Sequence, residues 1–193
     1  MKKLIVATGN THKTEEIGAI LGAEYEVSDL SLYPGLPSVE ETGTTFLENA
    51  TLKAVQISEQ VEGIVLSDDS GLEVDSLDGA PGVYSSRYAG EDGNDAANNS
   101  KLLTELQGVK DRTARFRCVM VLAKAGERLA YFDGAVEGRI IDRKKGCGGF
   151  GYDPLFMPEG YDQSFAELGE AIKNSMSHRA RAMVPVKKWL ESQ

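Results

Sequence analysis

Residues that build redox or zinc chemistry are scarce in this sequence. Its two cysteines, Cys118 and Cys147, form neither a CxxC pair nor a disulfide framework. The two histidines, His12 and His178, are too few and too isolated for a zinc site, so any metal should be a hard cation held by oxygen. Positive charge is also short: 21 Lys and Arg stand against 30 Asp and Glu, a net charge of −9. Proteins that bind nucleic acid polymers need a basic stripe to displace counterions, and this balance argues against such a partner. Long apolar runs are missing as well. The apolar start, Met1 to Ala7, gives way at once to polar turn residues, which excludes a signal peptide or membrane span of the usual length and leads to the expectation of a cytoplasmic protein.

What is present is ordinary for a globular chain. With 193 residues, 41% hydrophobic and 26% charged, and no repeat, low-complexity tract or linker, residues 1–193 should form one domain with one sizeable core. Lys2 to Thr8 reads as a buried strand running into Gly9 and Asn10, and Ile17, Ile20 and Leu21 mark a helix face ending near Gly22. A strand over Tyr25 to Leu30 precedes a loop with Pro34, Gly35 and Pro37, which delivers Glu40 and Glu41 ahead of a helix starting at Phe46. Ile64 to Leu66 reads as a short strand ending in Ser67-Asp68-Asp69-Ser70-Gly71, with Leu72 and Val74 in a further one. Asn94 or Asp95 can cap a helix carrying Leu102, Leu103 and Leu106. Ala114, Phe116, Cys118, Met120 and Leu122 alternate with period two, then a turn at Ala125-Gly126 leads to a second run, the pattern of a β-hairpin. A last helix begins near Ser177, and Pro185 inside it predicts a kink or break. Strands mixed with helices and one antiparallel pair predict an α/β fold with a mixed sheet.

Several clusters can carry chemistry. Thr8-Gly9-Asn10-Thr11-His12-Lys13 places a strand end, a turn and a lysine at the start of a helix, where N–H groups and the helix dipole favour an anion, although a capped helix start explains the same residues. It is not a P-loop, because His12 rather than glycine precedes Lys13. Gly146 to Gly151 matches GxGxxG, but Pro154 follows where that fingerprint requires a helix, so the loop reads as a flexible wall bringing Phe150 to a planar ligand, or simply as a hairpin loop. Glu40, Glu41, Asp68 and Asp69 suit Mg²⁺ bound by one or two carboxylates plus phosphate, and each alone could equally be a surface charge. Lys53 and Lys173 can add phosphate contacts, and Ser177-His178-Arg179 joins N–H donors to a guanidinium fork suited to a carbonyl or phosphate oxygen.

In order along the chain, these pieces resemble the inosine triphosphate pyrophosphatase family. The resemblance rests on Thr8, Asn10 and Lys13, on Glu40-Glu41-Thr42-Gly43 and Glu48-Asn49-Ala50, and on Ser67-Asp68-Asp69-Ser70-Gly71-Leu72. It continues through Gly79-Ala80-Pro81-Gly82, Gly149-Phe150-Gly151-Tyr152-Asp153-Pro154 and Ser177-His178-Arg179. It implies a long central mixed β-sheet with helices forming two lobes around a substrate cleft, and a homodimer. It implies hydrolysis of ITP, dITP and XTP to the monophosphate and pyrophosphate. Thr8, Gly9, Asn10, Thr11, His12 and Lys13 would hold phosphates, Glu40 with Asp69 would bind Mg²⁺, and Asp69 would be the general base with a low pKa. Whether Glu41 assists or replaces Glu40 stays open. Ser70 would contact substrate, while Phe150, Gly151, Tyr152, Asp153, Lys173, His178 and Arg179 would form the base pocket and its phosphate-facing edge, with Arg179 facing the purine keto group.

Overall fold

A computed structural model describes residues 2–36 and 38–193; Pro37, in the loop predicted after the second strand, lies outside the described residues. The elements run β1 (Lys2–Val6), α1 (Thr11–Leu21), β2 (Tyr25–Asp29), α2 (Phe46–Ser58), β3 (Ile64–Val74), α3 (Asp95–Glu105), β4 (Thr113–Lys124), β5 (Glu127–Ile140), β6 (Phe156–Pro158), α4 (Phe165–Leu168), α5 (Glu170–Met176) and α6 (His178–Glu191). One six-stranded sheet has the order β2-β1-β3-β4-β5-β6. It is mixed, as predicted: β1 pairs in parallel with β2 and β3, and β5 pairs antiparallel with β6. Ala125 and Gly126 close β4 onto β5 with φ of 51° and 81°, the left-handed pair that a two-residue hairpin turn needs. Among the described residues no helix is long and apolar enough to cross a membrane.

The chain forms two compact units. Unit 1 comprises Met1–Asp69, Cys118–Gly134 and Arg179–Gln193; unit 2 comprises Ser70–Arg117 and Ala135–His178. In unit 1 the period-two alternation of the strands sorts side chains onto two faces. Leu4, Val6, Leu66, Cys118, Met120 and Leu122 pack with Ile17 and Leu21 of α1 and Ala182, Met183, Val186 and Leu190 of α6. The intervening residues face the other way: Ile5, Ala7 and Val65 pack with Ile57 of α2, and Val121 and Ala123 with Ala50 and Ala54 of the same helix. Unit 2 is organised around Phe116, Phe156 and Phe165, with ring centroids of Phe156 4.7 Å from Phe116 and 5.1 Å from Phe165.

Two predicted breaks are absent. β3 is one strand of 11 residues, so Asp68 and Asp69 lie inside it rather than at its end. Helix α6 runs unbroken through Pro185. A proline in a helix costs about 3 kcal/mol, and the four apolar side chains that α6 buries in the unit 1 core outweigh it.

Candidate active site

Adjacent residues of a strand point to opposite faces, so Asp68 and Asp69 enter different environments. Asp68 faces α1 and α6. Lys13 Nζ lies 3.1 Å from its Oδ1, and Arg179 Nη2 lies 3.2 Å from its Oδ2. Arg179 Nη1 pairs in turn with Glu16, one turn beyond Lys13 on the same helix. Two cations and two carboxylates thus meet in unit 1. Burial opposes the charge on Asp68, but Lys13, Arg179 and Lys53 overcome it and hold the carboxyl well below the usual range. The same assembly keeps Arg179 protonated: burial works against its charge, and Asp68 and Glu16 more than compensate. Cys118, one of the alternating positions in the period-two run, is buried here with Sγ 4.0 Å from Asp68 Oδ2.

From sequence the guanidinium of Arg179 is expected to face a purine; here it is 1% exposed, with Nη1 on Glu16 and Nη2 on Asp68. Glu16, which sequence reading passed over, completes the arrangement. Its one legible sign was its position three residues after Lys13 on a shared helical face.

Asp69 faces α2. Lys53 Nζ donates to Glu41 Oε1 at 2.6 Å and to the Asp68 carbonyl at 2.8 Å, which places an ammonium beside the Asp69 main chain. Burial pushes the Asp69 carboxyl up, Lys53 opposes that and Glu41 adds to it, so the pKa reaches about 6. In the metal-free chain the carboxyl thus lies above the low value expected beside a metal and lysines, because burial to 7% exposure outweighs the nearby lysines. Asn49, another residue not singled out from sequence except within a motif, accepts from Gly43 N at 2.7 Å. It thereby ties the segment carrying Glu41 to the start of α2. The next turn of that segment is fixed by a capping box in which Thr45 and Glu48 exchange hydrogen bonds at the start of α2. A Cβ on Gly43 would lie 2.6 Å from Glu48 Cβ and 2.7 Å from Asn49 Oδ1, so only glycine allows this approach. Glu40 is exposed, whereas Glu41 is half-buried on Lys53.

The predicted phosphate loop is a capped helix start. Asn10 accepts from His12 N at 3.0 Å, Thr8 Oγ1 accepts from Asn10 N at 3.1 Å, and residues Gly9 to His12 are exposed. Lys13 reaches back from this helix to Asp68.

In unit 2, Asp153 is buried, receives Phe150 N at 3.0 Å and pairs with Lys173 at 2.6 Å. The same ammonium lies 4.4 Å from the centre of the Phe150 ring, which is 39% exposed. Gly149 has φ of 70° and an added Cβ would meet Asp153 Oδ2 at 2.1 Å, which explains the glycine before Phe150. Gly151 is held by Asp95 Oδ2 on its N–H at 2.7 Å and by Asn99 on its carbonyl at 2.8 Å. Tyr152, predicted to touch substrate, is buried in the unit 2 core with its hydroxyl donating to Ser85 O at 2.8 Å. His178 is buried and stacks on Phe116 with centroids 5.1 Å apart and planes 16° apart. Ser70, the first residue of unit 2, is half-buried in β3.

A mixed sheet with two adjacent buried carboxylates in β3, a lysine-bearing helix after β1 and a glycine-held aromatic loop defines a class, and the model of the Ham1 family matches residues 4–189. The chain belongs to the Ham1 family, in accord with the ordered motifs of its sequence. It is 49% identical to a protein of Oceanobacillus iheyensis named dITP/XTP pyrophosphatase, with 100% of both chains covered. Among solved structures, a HAM1 protein from Coxiella burnetii superposes with a TM-score of 0.91 at 36% identity over 100% of both chains, and the Ham1 protein of Staphylococcus aureus with 0.89 at 40% identity over 99% of both.

Proposed function

We propose that this chain hydrolyses dITP, XTP and ITP to the nucleoside monophosphate and pyrophosphate, with Mg²⁺, as a cytoplasmic homodimer. The observation that carries the reading is its full-length similarity to a protein named for that activity. The surroundings of Asp69 support it.

The donor set fits a hard divalent cation. Asp69 and Glu41 offer carboxylate oxygens on the α2 side of the sheet, and burial raises the Asp69 pKa to about 6 despite Lys53, a cost that a bound cation would relieve. Among the described residues no three His, Cys, Asp or Glu side chains gather into a metal cage, and Mg²⁺ commonly uses one or two carboxylates with waters and substrate phosphates. Mg²⁺ held by Asp69 and Glu41 would shield the phosphates and acidify a water.

The chain's own residues supply the rest. Pyrophosphate release requires water to attack the α-phosphorus, breaking the bond to the bridging oxygen, and Asp69 takes the proton the water loses. In the metal-free chain burial holds this carboxyl near 6, and Mg²⁺ beside it would favour the ionised form that accepts the proton. The N–H groups at the start of α1 and Lys13 bind phosphate oxygens, with Lys53 adding positive charge beside Asp69. In unit 2, we assign the planar base to the exposed ring of Phe150, backed by Lys173, and to His178. Arg179 and Tyr152 support the fold instead of touching substrate.

Incubation of the pure protein with Mg²⁺ and dITP, XTP, ITP, ATP or GTP should release pyrophosphate, with kcat/KM for dITP and XTP at least about tenfold above that for ATP. Release of orthophosphate, or binding without turnover, would refute the assignment, and the second result would identify a nucleotide-binding sensor. Glu41→Gln should raise the Mg²⁺ concentration for half-maximal rate by about tenfold or more, the scale of a lost charged ligand, with a much smaller effect from Glu40→Gln. The reverse order in a metal titration would return the ligand role to Glu40. Light scattering should give twice the chain mass at micromolar protein, and a monomer mass would remove the dimer from the reading.

A further inference from the structure

Unit 2 contains a cavity of about 750 Å³ between the segment 109–113 leading into β4 and the segment 139–143 at the end of β5, with Lys145 and Met157 completing its wall. That volume falls in the range of small-ligand sites. Five lining side chains are cationic, Lys110, Arg112, Arg139, Arg143 and Lys145, against two acidic ones, Asp111 and Asp142. So strong a local excess is notable in a chain of net charge −9.

Both acids are already engaged. Asp142 pairs with Arg112 Nε at 3.3 Å, and Asp111 accepts from Thr113 N at 3.0 Å. Arg112 is anchored by donating to Leu106 O at 2.8 Å and Val109 O at 3.4 Å, just beyond α3. Its Nη1 is buried with no acceptor among the described residues. Arg139 makes one weak contact, Nη2 to Met157 Sδ at 3.4 Å. No carboxylate pairs with the side chains of Lys110, Arg143 or Lys145 among the described residues.

A concave wall with a fixed guanidinium and four more cations not paired to carboxylates matches an anion that carries several charges along a chain. Arginine forks bind phosphate oxygens in pairs, and adjacent lysines neutralise the remaining charge. We propose that this cavity is a second anion site that takes a condensed phosphate chain, free or carried by a nucleotide. It shares no residue with the groups assigned to hydrolysis.

Calorimetric titration of the metal-free chain with inorganic tripolyphosphate tests this. Lys13→Ala removes the lysine at the start of α1 and should leave one binding event intact. Adding Arg139→Ala and Arg143→Ala, both at exposed positions, should weaken that event by about tenfold or more, since each removes a charged donor. The same two substitutions on the unmodified chain should leave pyrophosphate release from dITP unchanged. A second pair, Lys110→Gln with Lys145→Gln, should weaken binding in the same way. Titration with ATP separates the sources: affinity equal to tripolyphosphate means the phosphate chain alone is read, and tighter binding means the nucleoside is held too. No binding to Lys13→Ala, or equal affinity with and without the arginines, would overturn the proposal.

Discussion

Asp69→Asn is expected to lower kcat by about two orders of magnitude or more, the range for loss of a positioned base, while making the metal-free protein more stable above pH 6. Burial gives the Asp69 carboxyl a folded pKa of about 6 against an ordinary value of 3.8. Between those values the folded state binds more protons than the unfolded state, so stability falls as pH rises. Above pH 6 the penalty is fully present, on the order of 3 kcal/mol at about 1.4 kcal/mol per tenfold in the proton equilibrium. Asparagine carries no such charge. Thermal melts in chelator should therefore show variant and wild type nearly together at pH 4 and the variant higher at pH 8. Normal turnover would remove Asp69 from the mechanism, and a lower melting temperature for the variant at pH 8 would contradict the burial argument.

Arg179→Ala is expected to destabilise the protein by about 3 to 5 kcal/mol, because it leaves buried carboxylates without their counter-charge. Glu16 and Asp68 would then lose the guanidinium they share, leaving excess negative charge in the core. Against a total stability of about 5 to 15 kcal/mol, such a loss threatens folding itself. Urea unfolding reads it directly. Adding Glu16→Gln to the variant restores the charge balance and should recover part of the loss, which a merely cavity-forming substitution would not allow. If Arg179→Ala stays within about 1 kcal/mol of wild type, the guanidinium does not hold the core, and its older assignment to the base becomes the better one.

Much of the fold was legible because local signals agreed with tertiary structure. The β4–β5 hairpin shows in the alternation from Ala114 to Leu122 and the turn at Ala125-Gly126, and α1 shows in its cap Asn10 and its stop Gly22. β3 was split because Ser67-Asp68-Asp69-Ser70-Gly71 has poor strand propensity; pairing of Leu4 to Val6 with Ile64 to Leu66, and burial of both carboxylates, override that preference. The helix likewise continues through Pro185, because burial of its apolar face offsets the lost hydrogen bond. At the site, residue types were readable but partners were not. Arg179 meets Glu16 across 163 positions of sequence, and nothing near either residue announces the pairing. That Glu41 pairs with Lys53 is a geometric fact that adjacent identical side chains cannot carry in their sequence.

The division of the chain into segments sets an order of synthesis. All of unit 2 has been translated once His178 is added, but unit 1 still lacks Arg179–Gln193. That segment supplies Ala182, Met183, Val186 and Leu190 to a core whose first members, Leu4 and Val6, were made at the very start. On the ribosome, the inner unit can therefore close while the outer one waits. A chain stalled or trimmed just before Arg179 would carry a complete unit 2 and an unfinished unit 1, its apolar β1 face uncovered and Asp68 and Glu16 without the guanidinium they share, which is the form that chaperones and proteases would meet.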